Sequence, residues 1–294
     1  MSGNEVHLVV GPGSYAGRHV AQALAGHARV RTAELDENLA AAMAGVAAVH
    51  MTVDLRPPLL RHSRPWQPPP GLVRLMDALQ GAGNPRLVML SSAHVHGVGS
   101  SRVVSEDSRV RGHILVERLR AKDEAWLRAR PGVEAMVLRP VQGLGAGEPV
   151  WEGLARRLHA DTLAMPGGGA AERTFLAGPD LGRAFLAAAQ RGRSGRAYLL
   201  GGFDSSWAEL IEALAQRVAP AAQVASPLPD LAWLLAAGAA LRAPPGREVW
   251  PSPYTVELFA RKLLVDDAQA RRELSWSPRA ASLAEALTVA GRIL

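Results

Sequence analysis

The chain opens on a short apolar run, Val6 to Val10, that ends at glycine, a pattern that predicts a buried parallel strand. Beyond Gly17 the apolar positions Val20, Ala21 and Leu24 recur at helical spacing, and Gly26 closes that helix. The pattern then predicts a strand over 29–34, a short helix over 37–44 and a strand over 46–53. A proline-rich loop runs from Pro57 to Pro70, followed by a helix over 71–81 and a strand over 86–90 that leads into Ser91 and Ser92. Residues 114–129 read as a long amphipathic helix with Leu115, Leu119, Trp126 and Leu127 near one stripe, and 133–138 as a further strand. Strands alternating with helices predict an α/β fold of Rossmann type, a doubly wound parallel sheet. Past Gly147 the regularity loosens: helices are expected around 151–159, 180–190 and 206–218, with a loop at Gly167, Gly168 and Gly169. The expected organisation is a dinucleotide-binding domain over 1–147 and a smaller, partly helical C-terminal substrate subdomain over 148–294, whose strands are free to return to the main sheet.

Composition alters this picture in few places. The 294 residues, 48% hydrophobic and 20% charged, suit a soluble globular chain with an ample core. The sequence holds no cysteine, which excludes disulfides, iron–sulfur clusters, thiolate zinc sites and a cysteine nucleophile. The first residues lack a basic region followed by a long apolar stretch, so no signal peptide is expected. The apolar run from Leu228 to Leu241 is broken by Pro229 and Asp230 and is too short to span a bilayer. A cytoplasmic protein with no membrane partner is the default reading. The net charge of +6 does not argue for nucleic acid either. The densest basic stretch, Arg109 to Arg130, alternates with Glu117, Asp123 and Glu124, as a solvated helix face does. His94 and His96 lack a third ligand at a recognisable spacing, so no metal site is expected.

The turn Gly11-Pro12-Gly13-Ser14-Tyr15-Ala16-Gly17 lies between the first strand and the first helix. A dinucleotide pyrophosphate meets backbone N–H groups at such a helix N-terminus. Glu34, at the end of the second strand, stands where a carboxylate accepts from a ribose 2′-hydroxyl and disfavours a 2′-phosphate. NAD is therefore favoured over NADP, although Arg29 and Arg31 flank the site and keep NADP in play.

Taken together these residues resemble the extended short-chain dehydrogenase/reductase family, the NAD-dependent epimerase/dehydratases. The turn Gly11, Ser14, Gly17 is similar to the family's Gly-x-x-Gly-x-x-Gly, and His50-Met51-Thr52-Val53 to its His-x-Ala-Ala. Ser91-Ser92-Ala93-His94-Val95-His96-Gly97 resembles Ser-Ser-x-x-Val-Tyr-Gly, and Leu138-Arg139-Pro140 resembles Leu-Arg-Pro. Near the C-terminus, 270–279 is similar to the family's Lys-Ala-x-x-x-Leu-Gly-Trp-x-Pro. The resemblance implies dinucleotide contacts from Gly11, Gly13, Ser14, Tyr15, Ala16, Gly17, Glu34, Thr52, Lys122 and Pro140, and substrate contacts from Ser92, His94 and Arg173. It also implies a homodimer paired through the helices 71–81 and 114–129.

Two departures stand out. Glu34 passes almost at once into Asp36-Glu37-Asn38-Leu39, so a β-α element of the family is deleted. The second is chemical. The family's reaction uses a serine with Tyr-x-x-x-Lys on the long helix; Ser92 and Lys122 align with two of these, but Arg118 stands where the tyrosine is expected. Arginine stays protonated, so it cannot donate and accept a proton; it can clamp a carboxylate or stabilise an oxyanion. His94 falls where dehydratases of this family carry a catalytic glutamate, and its imidazole titrates near neutrality. His96, in the same loop, reads as structural. The candidate catalytic set is thus Ser92, His94, Arg118 and Lys122. The leading expectation is an NAD(P)-linked oxidoreductase or epimerase acting on a small alcohol, ketone or sugar-like substrate. One alternative is a redox-neutral dehydratase, cyclase or isomerase of secondary metabolism using His94 and Arg118; another is a non-catalytic dinucleotide sensor. Fold alone does not choose among them.

Overall fold

The computed structural model describes residues 5–55, 65–99, 103–244 and 250–289. Its strands are β1 (Val6–Val10), β2 (Arg29–Ala33), β3 (Ala48–Met51), β4 (Arg86–Leu90), β5 (Ala135–Pro140), β6 (Gln142–Leu144), β7 (Glu172–Ala177), β8 (Ala197–Leu200) and β9 (Phe203–Ser206). Its helices are α1 (Tyr15–Leu24), α2 (Leu39–Ala42), α3 (Pro70–Gly81), α4 (Leu115–Arg128), α5 (Pro149–His159), α6 (Gly178–Arg191), α7 (Trp207–Val218), α8 (Pro229–Arg242), α9 (Pro253–Ala260), α10 (Ala268–Leu274) and α11 (Leu283–Val289). The residues expected as a loop over 57–70 lie partly outside the described residues; Pro70 already opens α3, where its missing N–H costs nothing.

Six strands form one parallel sheet in the order β2-β1-β3-β4-β5-β8. Side chains alternate between its faces. Val9, Val88, Met136 and Leu138 pack into one core with Val20, Leu24 and Phe185 from α1 and α6. Leu8, Val10, Leu87 and Val137 enter the opposite core with Leu72, Leu75 and Leu79 of α3 and Leu127 of α4. This is the doubly wound arrangement expected. Helices α1 and α6 approach closely because Gly182 has no Cβ, which would stand 2.2 Å from the His19 carbonyl oxygen.

The deletion after Glu34 is visible in the sheet. No strand among the described residues lies beyond β2, which therefore forms an edge and leaves Arg29, Val30 and Thr32 exposed. The chain crosses from β2 back past β1 to β3, so the topological switch lies between β1 and β3. There Thr52 Oγ1 donates to the Val10 carbonyl at 2.8 Å, tying the end of β3 to the end of β1. Below it, His7 and His50 face each other on β1 and β3, Nδ1 to Nε2 at 3.0 Å.

The boundary expected at residue 147 does not divide the sheet: β8 pairs with β5, and α6 covers α1. β6, just ahead of that boundary, joins β7 and β9 of the C-terminal part in a second, three-stranded sheet of order β6-β7-β9. Its core contains Trp151, Phe175, Trp207 and Phe259, with Trp207 Nε1 donating to the Leu258 carbonyl at 2.9 Å. Leu72, Leu75 and Leu79 of α3 and Leu127 of α4, among the residues expected to pair two copies, pack into the chain's own core. Arg74, Asp77 and Gln80 of α3 and Arg118, Lys122 and Arg128 of α4 face outward instead.

Candidate functional site

A cleft of about 1390 Å³ runs along the C-terminal ends of the parallel strands, where open α/β sheets bind ligands. The glycine turn forms one end. Gly11 adopts φ +80°, and a Cβ there would stand 2.3 Å from Val53 Cγ1. A Cβ on Gly17 would stand 2.1 Å from the Gly11 carbonyl oxygen, so glycine lets α1 start tight against the turn. Ser14 caps α1: its Oγ accepts from Gly17 N at 2.9 Å and donates toward the Thr52 carbonyl at 3.1 Å. The amides of Tyr15 and Ala16, in the first helical turn, have no intrahelical acceptor. Ser14, Tyr15, Ala16 and Thr52 all line the cleft. Tyr15 does not block the turn, because its hydroxyl donates to the Leu144 carbonyl at 2.7 Å.

These residues fit a dinucleotide. The turn offers open amides at a helix N-terminus, and the space a Gly13 Cβ would enter holds only Glu34 Oε1, at 3.9 Å. Glu34 is exposed at the end of the edge strand, with its carboxylate directed at the turn.

The middle of the cleft is built on the turn after β4. Ser92 caps a short 3-10 turn (Ala93–His96) that buries His94. His94 Nε2 lies 2.6 Å from Arg173 Nη2, and its Nδ1 lies 2.8 Å from Ser92 Oγ. A guanidinium can only donate, so Nε2 is the acceptor and Nδ1 carries the proton given to Ser92. Burial and the Arg173 charge hold the imidazole well below its usual range. Both ring nitrogens of His94 are therefore committed to hydrogen bonds. Ser92 Oγ accepts from His94 Nδ1 and, at 3.2 Å, from the His94 amide, which leaves its own proton for a ligand. Arg173, expected to reach substrate, is instead fully buried behind His94, where Nη1 donates to the Arg261 carbonyl at 2.6 Å. Burial pulls its pKa down to about 10.

Helix α4 turns a different face inward from the one expected. Val116 and Arg120 line the cleft at i, i+4 spacing, and the next residue in that series, Glu124, is buried beneath them. Arg118 and Lys122 sit two residues out of step, rotated by about 200°. Lys122 faces solvent and does not line the cleft. Arg118 is exposed at the cleft mouth, where Nη1 donates to the His113 carbonyl at 3.0 Å. The expected placement of Lys122 in the cleft is thus corrected by the helix register. That register is set by buried polar groups. Glu117 Oε2 accepts the amides of His113 and Ile114 at the helix start, at 2.6 and 3.2 Å. Glu124 accepts from Ser91 Oγ and, through both carboxylate oxygens, from Arg139, whose Nη1 also lies 3.0 Å from His96 Nε2.

Several cleft residues carried no recognised sequence signal. Arg120 pairs with Asp54, and its charge acts on the phenol of Tyr254. Tyr254 comes from α9, its ring edge-on to His94 at 6.0 Å between centroids. Glu148 caps α5, accepting from Trp151 N at 2.7 Å, and burial raises its carboxyl to about 7. Trp233 and Trp250 wall the cleft, whereas Trp151 and Trp207 are core. Pro140 lines the floor as expected. Among the described residues no group of three or more potential metal ligands occurs, and no helix is long and apolar enough to cross a membrane.

The fold and cleft define a Rossmann-type α/β protein with a small C-terminal subdomain roofing the strand ends. Residues 70–201 match the model of the NAD dependent epimerase/dehydratase family, which bears out the resemblance carried by the sequence motifs. No curated protein sequence matches the chain. Among solved structures, the UDP-glucuronic acid 4-epimerase from Bacillus cereus, in complex with UDP-glucuronic acid and NAD, superposes with a TM-score of 0.73 at 17% identity, over 98% of each chain. The dTDP-glucose 4,6-dehydratase from Bacillus anthracis, in complex with NAD, gives 0.71 at 13% identity, over 97% of this chain and 95% of that one. MoeE5 in complex with UDP-glucuronic acid and NAD gives 0.70 at 21% identity, over 97% of both. At these identities the likeness is one of fold.

Proposed function

We propose that the protein is a nicotinamide-dinucleotide-dependent enzyme acting on a small hydroxyl- or carbonyl-bearing substrate of sugar-like size. One observation carries this reading: a single cleft joins the glycine turn to the free hydroxyl proton of Ser92. The NAD-bound epimerase and dehydratase neighbours support it. When bound, the dinucleotide supplies or accepts hydride. The chain's own part is to hold the pyrophosphate at the amides of 15 and 16 and the adenosine ribose at Glu34, which favours NAD over NADP. Ser92 donates a hydrogen bond to the substrate oxygen, and Arg120, anchored by Asp54, takes up the cleft position assigned earlier to Lys122. Trp233 and Trp250 keep water from the reacting carbon.

The redox-neutral alternative has less to support it, because His94 has no nitrogen free for proton exchange and Arg118 lies at the rim. Titration with NADH and NADPH, followed by nicotinamide fluorescence, tests the proposal. Binding of NADH in the micromolar range, tighter than NADPH, is expected; failure of both to bind at millimolar concentration refutes it.

A further inference from the structure

The cleft face of α4 presents Val116 four residues before Arg120, so the helix brings no phenol to the site. The chain contains three tyrosines. The hydroxyl of Tyr15 is committed to the Leu144 carbonyl, and that of Tyr198 to Glu273 and the Arg193 amide, at 3.1 and 2.9 Å. Tyr254 differs: it enters the cleft from the first turn of α9, a helix capped by Ser252, whose Oγ accepts from Thr255 N at 3.1 Å. Its ring stands against the buried His94, which is itself bonded to Ser92 and Arg173, and the phenol lies within the field of the Arg120 guanidinium. Tyr254 and Ser92 thus flank the same space, with guanidinium charge on the phenol side from Arg120 and, behind His94, Arg173.

We infer that Tyr254, delivered from the C-terminal subdomain, is the catalytic proton donor and acceptor that α4 lacks. The inference rests on the dinucleotide reading above. In the reducing direction the substrate's C=O bond becomes CH–OH: the carbon receives hydride from a reduced nicotinamide, and the oxygen receives the Tyr254 hydroxyl proton. The phenolate left behind faces Arg120 and regains its proton from solvent at the cleft mouth. In the oxidising direction the same phenolate takes the alcohol proton. Burial keeps the phenol protonated at neutral pH, with Arg120 and Arg173 drawing its pKa down and Glu117 and Asp54 opposing them.

The test uses the full chain with every tyrosine replaced biosynthetically by 3-fluorotyrosine, which gives three fluorine resonances assigned with single Tyr→Phe variants. ADP-ribose, which lacks the nicotinamide, is expected to move the Tyr15 resonance and leave that of Tyr254 in place. NAD is expected to move both and to lower the Tyr254 titration midpoint relative to the ADP-ribose complex, because the cationic ring docks against the phenol. A shift of Tyr15 by NAD with Tyr254 unmoved overturns the role of Tyr254 and leaves the dinucleotide reading standing. If NAD moves none of the three resonances, both fall.

Discussion

His50 gives the chain an acid liability whose size follows from its position. The imidazole sits in β3 with no exposed surface, against His7 and near Phe185. Burial, with a smaller contribution from His7, brings its pKa to about 3, against 6.5 in an unfolded chain. Because the folded value is the lower, the unfolded chain takes up the proton first as the pH falls. Stability is therefore intact above 6.5 and is lost progressively toward 3. Between pH 7.5 and pH 5 the loss from His50 alone is about 2 kcal/mol. His96, lowered to about 4 by burial and Arg139, adds a loss of similar size. Glu148, raised to about 7 by burial, works the other way: the folded protein holds its proton where the unfolded chain does not, so acidification over this range returns about 2 kcal/mol. The wild-type slope is thus a sum of opposing parts, and a single variant isolates one of them. His50→Gln does not titrate and keeps an amide for His7. Urea unfolding of both proteins at pH 7.5 and pH 5 should show the wild type losing about 2 kcal/mol more than the variant. Losses equal to within about 0.5 kcal/mol would refute the claim that His50 is held neutral.

Other expectations follow from the same geometry. Glu124→Ala strands the Arg139 guanidinium in the core and should cost about 3–5 kcal/mol in urea unfolding, and a loss below about 1 kcal/mol would show the network to be dispensable. Gly11→Ala drives a Cβ into Val53 at a positive φ, so it should cost about 1–3 kcal/mol in stability and weaken NADH binding by fluorescence titration. Glu34→Ala should narrow the ratio of NADPH to NADH dissociation constants by about tenfold, the worth of about 1.4 kcal/mol at the ribose; an unchanged ratio would remove Glu34 from the site. Arg120→Ala should weaken NADH binding while Lys122→Ala leaves it unaltered, and the reverse order would restore the register in which Lys122 faces the cofactor.

The parts of the fold legible in the sequence were those with an uninterrupted local signal. β1, β4 and α3 fall within a residue or two of their expected bounds, because short apolar runs bounded by glycine, proline or serine leave few alternatives. The glycine turn, Thr52, Pro140 and Ser92 all reach the cleft, since each lies where a parallel strand ends. β8 was invisible: Ala197–Leu200 is four residues long, and only its long-range pairing with β5 marks it as a strand of the main sheet. Helix α4 failed in a more instructive way. Its extent was right and its rotation was not, because the apolar stripe through Leu115 and Trp126 competes with buried Glu117, Asp123 and Glu124. Glu117 is held by the amides at its own helix start, but Asp123 and Glu124 belong inside only because Trp66, Ser91 and Arg139 meet them there, and periodicity contains no record of partners so far along the chain.

That rotation also bears on what the cleft binds. With Arg118 and Lys122 facing inward, the site would present two unpaired cations and would suit a carboxylate. In the actual register Arg120 is matched by Asp54 and Arg139 by Glu124, while Arg173 lies behind His94, away from the cleft surface. A charge already paired gains little from a second anion, whereas the dehydration needed to admit that anion still costs free energy. What remains at the centre is the donor proton of Ser92 and the hydroxyl of Tyr254, between aromatic walls. On the proposed function, such a surface would favour a neutral oxygen, a ketone or an alcohol, at the reacting position. A charged group on the same substrate would then lie toward the mouth, within reach of Arg118.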